Sequence, residues 1–160
     1  MSGGPGLEIR VAEPGDSGAL VRLISGFRDH LEEETPSDES IEESLPRAMT
    51  DASTEFAVAW LSGEPVGYTQ TRTFFSVWDA GPEVFLEDLF VAPGSRRASV
   101  GRQLLRYVVA RAEAAGAKRL SLTTHSGNEA AQSLYRSEGL EPDRHSLYPE
   151  GSEIVWSRKL

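Results

Sequence analysis

The stretch Phe85-Leu86-Glu87-Asp88-Leu89-Phe90-Val91-Ala92-Pro93-Gly94-Ser95-Arg96-Arg97-Ala98-Ser99-Val100-Gly101-Arg102-Gln103-Leu104-Leu105 decides how the chain is read. A mostly apolar run, Val84 to Val91, has the look of a strand. It stops at Pro93, and a loop of small residues and arginines follows. That loop opens directly into Val100, Leu104, Leu105, Val108, Val109 and Ala112, the spacing of an amphipathic helix, with Gly116 to end it. The first turn of a helix offers unpaired N–H groups at the positive end of the helix dipole, and Arg96, Arg97 and Arg102 add charged donors. A pyrophosphate suits such a site; a solvated basic turn is the competing reading of the same residues. The loop is neither a Rossmann G-x-G-x-x-G nor a Walker A loop, because Gly101 is not followed by Lys and Ser/Thr.

Upstream, Leu7-Glu8-Ile9-Arg10-Val11 alternates as a half-buried strand. Glu13-Pro14-Gly15-Asp16 breaks the chain, and Leu20, Leu23, Ile24, Phe27 and Leu31 recur at helical spacing. A second helix is predicted over 37–49, with Ser37 as N-cap, acidic residues in its first turn, and Ile41, Leu45 and Met49 on one face. Strands 55–61 and 66–75 are joined by Ser62-Gly63-Glu64-Pro65, a tight hairpin connection. Downstream of the helix at Val100, Leu120–Thr124 reads as a strand and Asn128–Glu138 as a helix closed by Gly139 in a left-handed C-cap. Two final strands cover about 141–148 and 154–159. The change from consecutive strands to strand–helix alternation implies parallel pairing within a mixed α/β sheet.

The chain has 160 residues, no Cys, and 16 Lys+Arg against 25 Asp+Glu, for a net charge of −9. One core is expected over 7–160, with a disordered start at 1–6. The lack of Cys excludes disulfides, thiolate metal sites and a cysteine nucleophile. The net charge argues against general nucleic-acid affinity. No apolar run approaches the roughly 20 residues that span a bilayer, and Met1–Gly6 lacks the features of a secretory signal, so a cytoplasmic location is expected. The charge is uneven: eleven acidic residues face Arg47 alone between Asp29 and Glu64, whereas seven basic residues face Glu113 alone between Gly94 and Leu120.

With strand, loop and helix in view, Val91-Ala92-Pro93 followed by Arg96-Arg97-Ala98-Ser99-Val100-Gly101 and Leu104-Leu105 resembles the GNAT superfamily of acyl-CoA-dependent N-acyltransferases, whose phosphate loop reads Gln/Arg-x-x-Gly-x-Gly/Ala. Ser99 replaces the central glycine. A Cβ there crowds the approach of backbone to phosphate, while the serine N–H and hydroxyl remain donors. A second segment, Asn128-Glu129-Ala130-Ala131-Gln132-Ser133-Leu134-Tyr135-Arg136-Ser137-Glu138-Gly139-Leu140, resembles the family's Asn-x-x-Ala-x-x-Leu-Tyr-x-x-x-Gly-Phe, with Leu140 in place of the aromatic. The resemblance spans about 7–160. It implies a largely antiparallel sheet of six or seven strands, a splayed parallel pair and four flanking helices.

The resemblance further implies transfer of an acetyl group from acetyl-CoA to an amine by direct attack in a ternary complex. Arg96, Arg97, Ala98, Ser99, Val100, Gly101 and Arg102 would bind the coenzyme diphosphate, and the backbone of Leu89, Phe90 and Val91 would pair with its pantetheine arm. Asn128 would bond that arm or cap its helix. Tyr135 would protonate the leaving thiolate; packing by its ring is the plainer role. An alkylammonium of pKa near 10.4 must lose a proton before attack. Glu87, with Asp88 in reserve, resembles the family's base, an ion pair or loop cap being the alternative; alternation sends the two carboxylates to opposite faces of the sheet. A catalytically silent CoA-binding sensor and a protein or peptide acetyltransferase are the rival readings.

The acidic block Glu32-Glu33-Glu34 with Asp38, Glu39, Glu42 and Glu43 would draw in a cationic acceptor, or simply form a soluble helix face. His125 follows a strand end where ligands often bind, but an exposed loop histidine is the simpler reading. His30 and His145 lack ligand spacing, and no metal is expected. Trp60, Tyr68, Phe74, Phe75, Trp78 and Tyr148 could wall an acceptor pocket, although strand spacing assigns most of them to the core. A homodimer is expected from exposed sheet edges and from the family resemblance.

Overall fold

The computed structural model describes residues 6–143 and 153–160, with the side chains of 96–98 excepted. Its elements are β1 (Leu7–Val11), α1 (Ser17–His30), α2 (Asp38–Thr50), β2 (Thr54–Leu61), β3 (Glu64–Ser76), β4 (Gly81–Val91), α3 (Val100–Ala114), β5 (Arg119–His125), α4 (Glu129–Ser137), β6 (Glu141–Pro142) and β7 (Glu153–Lys159). Short 3-10 turns precede α1 and α3. The sheet order is β1-β2-β3-β4-β5-β7-β6. β4 and β5 are parallel, while the β1·β2, β5·β7 and β6·β7 pairs are antiparallel. The mixed α/β class, the parallel pair and the four helices are those the resemblance implies. Of the expected strand at 141–148, Glu141–Pro142 is seen and 144–148 lies outside the described residues, with His145 and Tyr148 in it, as do residues 149–152 and 1–5.

Local chemistry accounts for the boundaries. Ser37 accepts the Ser40 N–H at the start of α2, and Asn128 Oδ1 accepts that of Ala131 at 3.1 Å at the start of α4. Gly139, at φ 83°, follows α4 in the left-handed region. Ser62 and Gly63, both at positive φ, form the two-residue turn between β2 and β3, the hairpin geometry whose twist matches the strands.

The chain divides into two compact units. In the first (Met1–Thr71 with Asp88–Tyr107), Leu20, Leu23 and Leu45 of the first two helices pack with Phe56, Val58, Tyr68 and Phe90 on one face of the strands. Leu7, Ile9, Ala59, Val66 and Val91 pack with Val100 and Leu104 on the other. Val66 and Tyr68 are two residues apart yet belong to opposite clusters, so β3 turns over at Gly67. A Cβ on Gly67 would stand 2.8 Å from the Phe90 carbonyl oxygen and 3.1 Å from Leu104 Cδ1, which explains the glycine. In the second unit (Arg72–Glu87 with Val108–Leu160), Leu120, Leu122, Leu140 and Trp156 are fully buried, and the Trp156 indole donates to Thr124 Oγ1 at 2.8 Å.

Candidate active site

Period-two alternation at the end of β4 separates the two carboxylates. Asp88 shares the face of Phe90, where Tyr68 donates from its phenol to Asp88 Oδ2 at 3.0 Å. Tyr68 is wholly buried, its ring 6.3 Å from that of Phe27 and 6.4 Å from that of Phe90. Burial first, then the charge of Asp88 and the hydrogen bond to it, holds the Tyr68 proton far more tightly than in an ordinary phenol. Glu87 is exposed and takes an ion pair from Arg72 Nε at 2.9 Å. The Arg72 guanidinium also lies 6.0 Å from the Phe85 ring centre. No local sequence pattern marks either partner: strand spacing reads Tyr68 as a core or pocket aromatic, and Arg72 belongs to no motif.

Leu89 and Val91 pack on the α3 side of the first unit, and Phe90 is buried on the other. Beyond them the backbone of Pro93–Ala98 winds in a 3-10 turn, so Arg96, Arg97 and Ala98 lie on the segment that leads into α3. Ser99 then adopts φ 57° and ψ 26°, the left-handed region that favours glycine, and its carbonyl accepts the Gln103 N–H at 3.1 Å. The backbone at this position is therefore one that glycine adopts without the penalty of a Cβ. Val100, fully buried, anchors the first turn of α3, which also contains Gly101 and Arg102. The backbone N–H groups of that turn are among those that no i−4 carbonyl can satisfy.

In the second unit Tyr135 is buried on α4, its ring 6.1 Å from that of Trp156, and burial raises its pKa above the ordinary phenol value. Such a group stays protonated at neutral pH and has a proton to give. Asn128 is the N-cap already described. His125 is exposed, its Nδ1 accepting the Gly127 N–H at 3.0 Å. The parallel register of β4 and β5 runs from Glu83↔Arg119 to Leu86↔Leu122.

The acidic block is exposed throughout. Arg28 ties α1 to α2 through Asp38 at 2.6 Å and the Pro36 carbonyl, while Glu32, Glu33, Glu34, Glu39, Glu42 and Glu43 face solvent. Among the described residues no group of His, Asp and Glu could hold a metal ion, and no helix is long and apolar enough to cross a membrane.

Residues 22–140 match the family model described as "Acetyltransferase (GNAT) family". The chain belongs to the GNAT family. As a GNAT protein it is 31% identical over 137 residues to the uncharacterized N-acetyltransferase YhfO of Bacillus subtilis, covering 86% of this chain and 91% of that one. It is 32% identical over 145 residues to the thialysine N-epsilon-acetyltransferase of Bos taurus, covering 83% of each. Its fold superimposes on an acetyltransferase of Thermus thermophilus with a TM-score of 0.75 at 20% identity, covering 96% of this chain and 97% of that one. A PaiA N-acetyltransferase of Thermoplasma acidophilum, solved in complex with coenzyme A, gives 0.70 at 18% identity over 100% of both chains. This GNAT protein is accordingly an acyl-CoA-dependent acetyltransferase.

Proposed function

We propose that the protein transfers the acetyl group of acetyl-CoA to a primary amine of a cationic small molecule by direct attack of the amine on the thioester. The observation that carries this reading is the left-handed Ser99, which turns the arginine loop into the first turn of α3 and leaves the amides there to meet a diphosphate. Arg96, Arg97 and Arg102 supply charged donors beside them, Ala98, Val100 and Gly101 supply backbone, and the main chain of Leu89 to Val91 pairs with the pantetheine arm.

Tyr135 protonates the departing thiolate; burial keeps its phenol protonated until charge develops on sulfur. Asp88 or Glu87 removes the ammonium proton, directly or through water. The partner of each favours Asp88: its carboxylate is half-buried and takes a hydrogen bond from Tyr68, whereas that of Glu87 is engaged by Arg72. Support for a cationic acceptor comes from the exposed carboxylates of α2 and the segment before it, and from a relative named for acetylating thialysine, an amino-acid amine.

Titration calorimetry with CoA, followed by free-thiol release from acetyl-CoA over lysine analogues, polyamines, aminoglycosides and basic peptides, tests the proposal. Micromolar CoA binding and thiol release with a small cationic amine are expected. CoA binding without thiol release from any amine would make the protein a silent CoA sensor. Release with peptides alone would make it a peptide acetyltransferase, and no CoA binding at millimolar concentration would remove the diphosphate site.

A further inference from the structure

Strand propensity assigns Tyr68, Phe74, Phe75 and Trp78 to the core. The structure exposes Phe74, Phe75 and Trp78 by 43%, 70% and 99% around the β3–β4 turn and buries Tyr68 completely. Packing alone asks only for a ring at Tyr68, which phenylalanine would supply. The hydroxyl does something else: it donates to Asp88 Oδ2 at 3.0 Å, across from β3 to β4.

The donor is held by its surroundings. The Tyr68 ring has Phe27 edge-on at 6.3 Å and Phe90 at 6.4 Å, inside the cluster that α1, α2 and β2 close around it. Away from water, a phenol keeps the one acceptor it has. A carboxylate that accepts a hydrogen bond is favoured in its charged form. Burial and the charge of Asp88 in turn keep the proton on Tyr68, so the phenol donates without ionising. Among the described residues, the other titratable or charged groups on this side belong to α1 and α2. His30, exposed at the end of α1, has its ring 6.1 Å from that of Phe90, and Arg28 beside it is bonded to Asp29 and Asp38. The acids and Arg47 of α2 are exposed, and Glu87 lies on the opposite face of β4, engaged by Arg72.

We propose that Tyr68 is the positioning residue of the acetyl-transfer site: its clamped hydroxyl fixes the Asp88 carboxylate and keeps it ionised to receive a proton from the acceptor ammonium. The inference rests on the reading of Asp88 as the base. In the transfer the ammonium N–H gives its proton to Asp88, and the freed lone pair forms the C–N bond as the C–S bond breaks. Tyr68 keeps its own proton throughout and acts on the reaction only through the carboxylate.

Carbon-13 NMR titration of the Asp88 carboxyl carbon, assigned with Asp88→Asn, tests this without relying on turnover. Tyr68→Phe should move the Asp88 midpoint up by about one pH unit. Difluorotyrosine installed at position 68 is a more acidic phenol of nearly the same size and should move it down. A purely structural ring would give no such graded response. In thiol release with the best amine acceptor, Tyr68→Phe should lower kcat about ten-fold with CoA affinity within about two-fold of wild type, while the fluorinated protein keeps its kcat. Circular dichroism checks folding; if Tyr68→Phe unfolds, the fluorinated protein decides by its titration. An Asp88 midpoint that ignores both changes overturns the proposal, and if Asp88→Asn still abolishes transfer, the base reading stands without it. Full kcat in Asp88→Asn overturns the base reading, and the catalytic part of Tyr68 falls with it.

Discussion

Tyr68 donates its phenolic hydrogen to Asp88 across 3.0 Å, from β3 to the neighbouring strand β4 in the first unit. Tyr68 is fully buried, so its hydroxyl depends on this carboxylate for the hydrogen bond that water would otherwise provide. The contact fixes the carboxylate's orientation and lowers its need for other donors.

Tyr68→Phe should therefore destabilise the protein by about 1 to 3 kcal/mol in urea unfolding at pH 7, by stripping a donor from a half-buried carboxylate. The pH dependence gives a second signature. The folded-state pKa of Tyr68 lies above its unfolded value, so its contribution is fully present below about pH 10 and is lost as pH rises beyond that. Wild-type stability should fall above pH 10 by up to about 1.4 kcal/mol per pH unit from this group, and the slope should be shallower in Tyr68→Phe. Equal slopes for the two proteins would mean that the phenol ionises normally in the folded chain.

Asp16 behaves in the opposite sense. Its carboxylate accepts two hydrogen bonds from Arg10, at 2.6 and 3.0 Å, and one from the Glu13 N–H, and these hold its pKa below the ordinary value. The stabilisation is present above about pH 4 and disappears as pH falls through the lowered folded-state pKa. Arg10 is about a third exposed, so the effect is discounted for solvent screening to about 1 kcal/mol. Asp16→Asn should lose that amount at pH 7 and show a flatter acid limb below pH 4, as measured by thermal unfolding across pH.

Gly67 permits the close approach of β3 to β4. Gly67→Ala should cost about 2 to 4 kcal/mol, because the new Cβ meets a backbone oxygen that cannot swing aside. A loss under 1 kcal/mol in chemical denaturation would show that β4 yields at Phe90.

Much of this fold was legible in the sequence where a local rule applied. Ser37 and Asn128 were readable as caps and Gly139 as a helix stop, since each acts within a few residues. Alternation alone put Glu87 and Asp88 on opposite faces. What stayed hidden depends on contacts distant along the chain. Tyr68 and Asp88 are twenty residues apart, and the Arg72–Glu87 pair likewise needs the β3–β4 register, which no local pattern supplies. The aromatics of 74–78 misled for a related reason: aromatic residues favour strands whether or not anything covers them, and burial is decided by what packs above. Ser99 lay between these cases, since the family motif marked the position and only the backbone showed its left-handed conformation.

Ser99→Gly separates conformation from chemistry at that position. Glycine relieves about 1 kcal/mol of left-handed strain but enlarges the unfolded ensemble, so the net gain in stability should be about 0.5 kcal/mol. If the Cβ also crowds the diphosphate, CoA should bind several-fold more tightly by calorimetry. Weaker binding with the gain in stability intact would instead assign the serine hydroxyl a bond to phosphate.

Tyr135→Phe tests the acid. The ring is packed against Trp156, and phenylalanine preserves that packing while removing the ionisable hydroxyl. The kcat for acetyl transfer should drop by about 10² to 10⁴ if the phenol is the general acid, with CoA affinity within about two-fold of wild type. Acceptors whose attack is rate-limiting should lose less than acceptors for which thiolate departure is slow, because only the second step draws on the proton. If kcat is unchanged for the best acceptor, water or the ammonium proton itself reaches the sulfur, and Tyr135 serves the fold alone.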